Sequence, residues 1–200
     1  MKSKSLLTLV LIPLMVGCGT NTESSEESSE QVFSSTEPLE FTITDGQGRS
    51  VTIDSSKTDK VICIGAGALR YYSYIGDINK IIAVEEIDSV TSFGVGQALR
   101  PYYMAGYDHF KTLPIIGKGG PMAQVADAEK LAAAHPDIIV SFLSAEANTA
   151  LQATLNIPVV GLSQGPDGVF DAKTLYSFQV LGAVFDKEDR VEALKTYINA

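Results

Sequence analysis

Two rhythms divide the chain. From residue 41 to 53, apolar and polar positions alternate in Phe41-Thr42-Ile43-Thr44 and Val51-Thr52-Ile53, across the loop Asp45-Gly46-Gln47-Gly48-Arg49. That pattern predicts a β-hairpin with a glycine-bearing loop. Beyond it the alternation stops, and short unbroken apolar runs recur at Val61–Ile64, Ile81–Val84, Ile138–Val140 and Pro158–Val160. Such runs predict strands buried on both faces, as in a parallel sheet.

Between the runs, Leu69–Ile75, Ala123–Ala134 and Ala145–Leu155 predict helices, the second closed by Pro136. A hairpin followed by β-α repeats predicts an α/β layer fold. The repeats have no fixed period, which excludes a solenoid. Ala172–Phe185 predicts a further helix. Asp186 is the expected N-cap of a last one, Lys187–Ala200, with Val191, Leu194 and Ile198 on one stripe. No glycine, proline or cap follows, so the chain is expected to be cut short inside that helix.

The amino end has its own pattern. Lys2 and Lys4 precede an apolar segment from Leu6 to Val16, and Gly17-Cys18 closes it. This is the layout of a secretory signal with a small residue before the cut. With a cysteine after the cut it resembles the lipobox of bacterial lipoproteins, although Met15 stands where leucine is usual. The implied fate is removal of residues 1–17 and a lipid on Cys18. The alternatives are a spanning anchor or an ordinary signal with a chance cysteine. The apolar run is about half the roughly 20 residues of a spanning helix, and Pro13 interrupts it, which disfavours the anchor. Residues 18–38 carry five glutamates, many Ser and Thr and no base. They are expected to form a disordered, acidic tether. Residues 39–186 are then one α/β lobe, and 187–200 the start of a longer helix.

The chain of 200 residues has 15 Lys and Arg against 24 Asp and Glu, a formal charge of −9. Removing residues 1–17 takes two bases and no acid, leaving −11. This charge, with no basic stripe, excludes nucleic acid as a partner. Membrane contact would come from the lipid alone. With Cys18 lipidated, Cys63 in the run Val61-Ile62-Cys63-Ile64 reads as a buried, inert thiol with no disulfide partner.

Ligands of open α/β sheets sit beyond the carboxyl ends of the strands. Here those ends are Gly65-Ala66-Gly67-Ala68-Leu69-Arg70, Glu85-Glu86-Ile87-Asp88, Ser141-Phe142-Leu143-Ser144 and Gly161-Leu162-Ser163-Gln164-Gly165, joined by the glycine loop Ile116–Pro121. The candidate ligand contacts are Arg70, Tyr71, Tyr72, Arg100, Tyr102, Gly119 and Gly120. Guanidinium and phenol groups suit a planar or catechol-like anion, and glycine amides allow close approach. Adjacent tyrosines on a helix face different ways, so at most one of Tyr71 and Tyr72, and one of Tyr102 and Tyr103, can line a cleft. A dinucleotide site fails because Arg70 stands where the third glycine is needed. Gly161-Leu162-Ser163-Gln164-Gly165 matches a nucleophile elbow and supports an alternative, a secreted serine hydrolase using Ser163. Against it, turn residues follow instead of a helix, and no histidine comes after. His109 and His135 lie far apart, so no resident metal site is expected. His109 reads as a surface residue of a polar loop and His135 as a helix cap.

Taken together, residues 41 to 53, Val61–Arg70, Ile116-Gly117-Lys118-Gly119-Gly120, Glu129-Lys130-Leu131-Ala132-Ala133-Ala134-His135-Pro136-Asp137-Ile138-Ile139 and Asn156-Ile157-Pro158-Val159-Val160 resemble the iron-complex and vitamin B12 substrate-binding proteins of ABC importers. The resemblance implies a two-lobed fold joined by a long helix, of which this chain would be the amino-terminal lobe. It implies no enzyme activity and no cofactor. The ligand would be a ferric siderophore, haem or corrinoid, held by a monomer and delivered to a permease that Glu129 engages. A lone lobe offers half a cleft and would bind weakly. A surface adhesin without a small ligand is the remaining alternative.

Overall fold

The computed structural model of the protein describes residues 39–89, 100–120, 127–168 and 171–200. Cys18, the 18–38 tether and the first residues of the helix expected from Ala123 lie outside the described residues.

β1 (Glu40–Thr44) and β2 (Ser50–Asp54) form the antiparallel hairpin, with Phe41 opposite Ile53 and Ile43 opposite Val51. The remaining strands, β3 (Val61–Ile64), β4 (Ile81–Ala83), β5 (Ile138–Ser141) and β6 (Val159–Gly161), make a parallel sheet in the order β4-β3-β5-β6. The unbroken apolar runs have a direct cause. Val61, Cys63, Ile138, Val140 and Val160 enter one core with α1 (Ala68–Ile75) and α6 (Ala172–Phe185). Ile62, Ile64, Ile139 and Val159 enter a second core under α4 (Ala128–Ala134) and α5 (Ala145–Leu155). Successive strand residues point to opposite faces, so both parities must be apolar. Cys63 is buried and free, and burial pushes its thiol well above its ordinary pKa.

Two carboxylates tie the layers together. Asp137 accepts the Asp59 and Lys60 amides at 3.2 and 2.9 Å, joining the starts of β3 and β5. Asp45, fully buried in the hairpin loop, accepts the Gln47 and Arg49 amides at 2.9 and 2.8 Å and the Gly161 amide at 2.9 Å. Gln47 adds a bond from its side-chain amide to the Leu143 carbonyl at 2.6 Å. The hairpin is thereby latched to the carboxyl ends of β5 and β6.

The turn near residue 186 differs from expectation. Asp186 does not cap the last helix from its start. It closes α6 with φ 53°, and its amide bonds to the Gly182 carbonyl. The next helix, α7 (Glu188–Ile198), follows Lys187 without a side-chain cap. The left-handed residue satisfies carbonyls at the end of α6 while the chain reverses. Gly182 permits the reversal to be tight, since a Cβ there would lie 2.7 Å from Val191 Cγ2. Val191 is buried, and Leu194 and Ile198 are half-buried. Among the described residues no helix is long and apolar enough to cross a membrane.

Candidate functional site

The sheet order reverses between β3 and β5, and loops leaving a sheet at such a point part to form a crevice. A cavity of about 540 Å³ lies on this edge, lined by Gly67 after β3, Asp88 after β4 and Gln164 after β6, with Arg70, Arg100 and Tyr102. Gly65 and Gly67 take φ +83° and +97°, which turns the chain from β3 into α1. Arg70 follows in the first turn of α1, exposed, its guanidinium carbon 5.4 Å from the Tyr71 ring centre. It makes no ion pair among the described residues. Arg100 precedes α2 (Pro101–Ala105), and its Nη1 donates to the Ile87 carbonyl at 3.2 Å and lies 3.5 Å from Asp88 Oδ1. Tyr102 donates to the same carboxylate oxygen at 2.7 Å.

Two buried carboxyl groups stand at this edge. Asp88 is raised above the usual aspartate range by burial, against the opposing pull of Tyr102 and Arg100. Glu85 accepts the Gly65 amide at 2.9 Å. Burial lifts its pKa to about 7, the Gly65 bond opposes this, and the neighbouring Asp88 adds to it.

Arg70, Arg100 and Tyr102 therefore meet on one cavity, while other expected contacts are placed elsewhere. Tyr71 and Tyr72 are both buried, because α1 packs Leu69, Tyr71, Tyr72 and Ile75 inward. The Tyr71 hydroxyl lies 3.3 Å from Thr174 Oγ1, and that of Tyr72 donates to the Asp77 carbonyl at 3.0 Å. Tyr74 lines the cavity instead. Of the second pair, Tyr102 lines it and Tyr103 is buried. Gly119 and Gly120 do not line this cavity. Their loop runs beside residues 84–87, with the Glu86 and Ile87 amides donating to the Gly117 and Lys118 carbonyls at 2.7 and 3.2 Å. Gly119 has φ +65°, and a Cβ there would lie 2.5 Å from Glu85 Oε2, so its role is to cover Glu85.

Glu129 is exposed in the first turn of α4, which Asp127 caps through the Lys130 amide at 3.2 Å. Because α4 ends beside the amino end of β5, its first turn points to the carboxyl edge of the sheet, as the cavity does. Ser163 is followed by the turn 165–168 and does not feed directly into a helix, α6 starting only at Ala172, and its amide donates to Ser177 Oγ at 2.9 Å. His109 is not in a loop but on α3 (Tyr107–Phe110), its Nε2 2.8 Å from the Ile81 carbonyl. His135 ends α4 with φ 51°. Both histidines sit at the amino edge of the sheet, opposite Ser163, so neither serves it as a base. Among the described residues no group of three or more His, Cys, Asp or Glu could hold a metal ion.

Asp88, Glu85, Tyr74 and Gln164 were not among the ligand contacts named from sequence, although Asp88, Glu85 and Gln164 stand in the strand-end segments where a ligand was expected. The acidic cluster after the β4 run was the available signal for the first two. Gln164 gave none beyond its place after β6, and Tyr74, in the last turn of α1, gave none.

A parallel sheet whose strand ends converge on an arginine-flanked cavity is the architecture of a ligand-capturing lobe. The family model for periplasmic binding proteins matches residues 70–200, and the chain belongs to that family. Among curated proteins none matches. Solved structures share the fold. A periplasmic solute binding protein from Veillonella parvula is 19% identical with TM-score 0.53, covering 80% of this chain and 45% of that one. The petrobactin-binding protein YclQ from Bacillus subtilis is 18% identical with TM-score 0.56, covering 80% and 50%. The heme binding protein HmuT is 15% identical with TM-score 0.52, covering 82% and 46%. The chain spans about half the length of these structures.

Proposed function

We propose that this chain is the amino-terminal capture lobe of a lipid-anchored substrate-binding protein of an ABC importer, which takes an anionic metal chelate outside the cytoplasm and delivers it to the permease. The observation that carries this reading is the meeting of Arg70, Arg100 and Tyr102 on one cavity at the carboxyl edge of the sheet. Family membership and the named ligands of YclQ and HmuT support it. In this reading Arg70 supplies the uncompensated positive charge, the Tyr74 and Tyr102 rings form walls for a flat ligand, and no bond is made or broken. Cys18 carries the lipid, residues 18–38 hold the lobe off the membrane, α7 begins the inter-lobe helix, and Glu129 docks on the permease.

The test is titration of the full-length protein with ferric siderophores, haem and cobalamin. Quenching of intrinsic protein fluorescence serves as the readout. Saturable binding of one of these, weakened roughly 10- to 100-fold by Arg70→Ala, is the expected result for loss of a charge-assisted hydrogen bond. Failure of all three ligand classes to bind removes the reading.

A further inference from the structure

Glu85 has a place in the lobe that capture as described above does not use. It is 5% exposed and sits just behind the cavity wall. Its carboxylate holds the Gly65 amide at 2.9 Å, and the next two residues, Ala66 and Gly67, line the cavity. On the other side Gly119 closes over it so tightly that no Cβ would fit. The element after β4 also carries Asp88, which faces the cavity and holds Arg100 and Tyr102.

The charges around Glu85 are uneven. Asp88 acts on it from its own turn and Cys63 shares its surroundings from β3. Lys118, next to Gly119, is exposed. Arg100 lies beyond Asp88 and is already paired with it. The segments 90–99 and 121–126 contain no ionisable side chain. Among the described residues a negative charge on Glu85 thus has no ion-pair partner, and from behind the cavity wall it would repel an anionic ligand.

We propose that Glu85 is a proton-linked positioning residue for capture. It takes a proton from the solvent as an anionic ligand enters the Arg70–Arg100 cavity, and as a bare carboxylate it opposes that ligand while keeping the Gly65–Gly67 turn in place. This rests on the capture reading above. Its ordinary consequence is that affinity for an anion falls as pH rises through neutrality, the range in which burial places the Glu85 titration.

The experiment uses the full-length protein, its Glu85→Gln variant, and a hexadentate ferric tris-catechol chelate as the probe. Glutamine keeps the acceptor for Gly65 and removes the charge. Binding is measured by quenching of intrinsic fluorescence at about pH 6 and about pH 8, and proton uptake by calorimetry in buffers of different ionisation enthalpy. The expected result is binding roughly tenfold tighter at the lower pH, the order of one unit charge acting across a partly screened cavity, with net proton uptake near neutrality. In Glu85→Gln both the pH dependence and the uptake disappear, and affinity at about pH 8 rises to the low-pH value. The Gly65 amide resonance titrates near neutrality in the free protein and not in the variant. Binding with the same pH dependence in both proteins, or a Gly65 resonance that does not titrate, overturns the inference and leaves capture standing. No binding of this probe at either pH overturns the inference alone when another ligand class binds, and removes capture with it when none does.

Discussion

Tyr102 donates a 2.7 Å hydrogen bond to Asp88 Oδ1, and Arg100 Nη1 lies 3.5 Å from the same oxygen. One carboxylate therefore orients both the phenol and one guanidinium of the cavity before any ligand arrives. It also pairs with one of the two arginines of the cavity, and Arg70 makes no ion pair among the described residues. Burial raises the Tyr102 phenol above its ordinary pKa, with the neighbouring Asp88 charge adding to the effect. Tyr102 is thus a neutral donor whose hydroxyl is directed at Asp88 while the residue lines the cavity.

Asp88→Ala removes the acceptor that Tyr102 and Arg100 share. Losing a hydrogen bond to a charged group costs about 1.5–3 kcal/mol, and urea unfolding followed by circular dichroism should show a loss of that order. Unchanged stability would mean that Asp88 does not hold Tyr102 in solution.

Glu85 gives the fold a pH dependence of its own. The unfolded chain loses this proton at the ordinary 4.5, and the folded lobe holds it to about 7. Between those values the folded state binds the extra proton, so stability declines as pH rises and levels off above about 7. The full difference is roughly 3 kcal/mol. Denaturant midpoints at intervals from about pH 4.5 to pH 8 should fall in the wild type. In Glu85→Gln the Glu85 part of this slope is missing, and identical profiles would refute the assignment.

Asp45→Ala breaks a buried charge network. Arg49 Nη1 lies 3.4 Å from Asp45 Oδ2, and three backbone amides lose their acceptor with it. Removing one partner of a buried pair costs about 3–5 kcal/mol. Hydrogen exchange should show β1 and β2 losing protection before the parallel sheet does. Uniform loss across both would mean that the hairpin is not held by this latch.

The two proposed attachments are separable. Glu129→Ala is expected to leave ligand titration unchanged and to abolish uptake in cells, because Glu129 is exposed and contributes only to its helix start. Unaltered uptake removes the docking role. Cys18→Ser is expected to abolish labelling by a fatty-acid analogue, and persistent labelling excludes the anchor.

Much of the fold was legible because its physical causes are local. The two parities of β3 and β5 enter different cores, and that alone makes their runs continuous. Ala145–Leu155 and Ala172–Phe185 are helices over the bounds their patterns predict. The parts that were not legible depend on rotation or on distant partners. Whether Tyr71, Tyr72 or Tyr74 meets the cavity depends on how α1 is turned against Phe178 and Phe142, which no spacing within the helix reveals. Asp186 could begin one helix or end another, and the close approach of Val191 to Gly182 decided it. Gly119 read as a ligand contact because glycine suits one. Its requirement comes from a carboxylate that lies 34 residues earlier in the chain.

The hairpin latch has a consequence for the order of assembly. Asp45 and Gly161 are 116 residues apart in the chain. A hairpin closes on the order of microseconds, but contacts of such long sequence separation form late and slow the overall rate. Of the described elements, the hairpin is the earliest in the chain and among the last to be secured. Until β6 is in place, Asp45 remains hydrated and β1 and β2 have only each other. A lesion in β6 would then show itself first as protease sensitivity in the hairpin, 116 residues earlier in the chain.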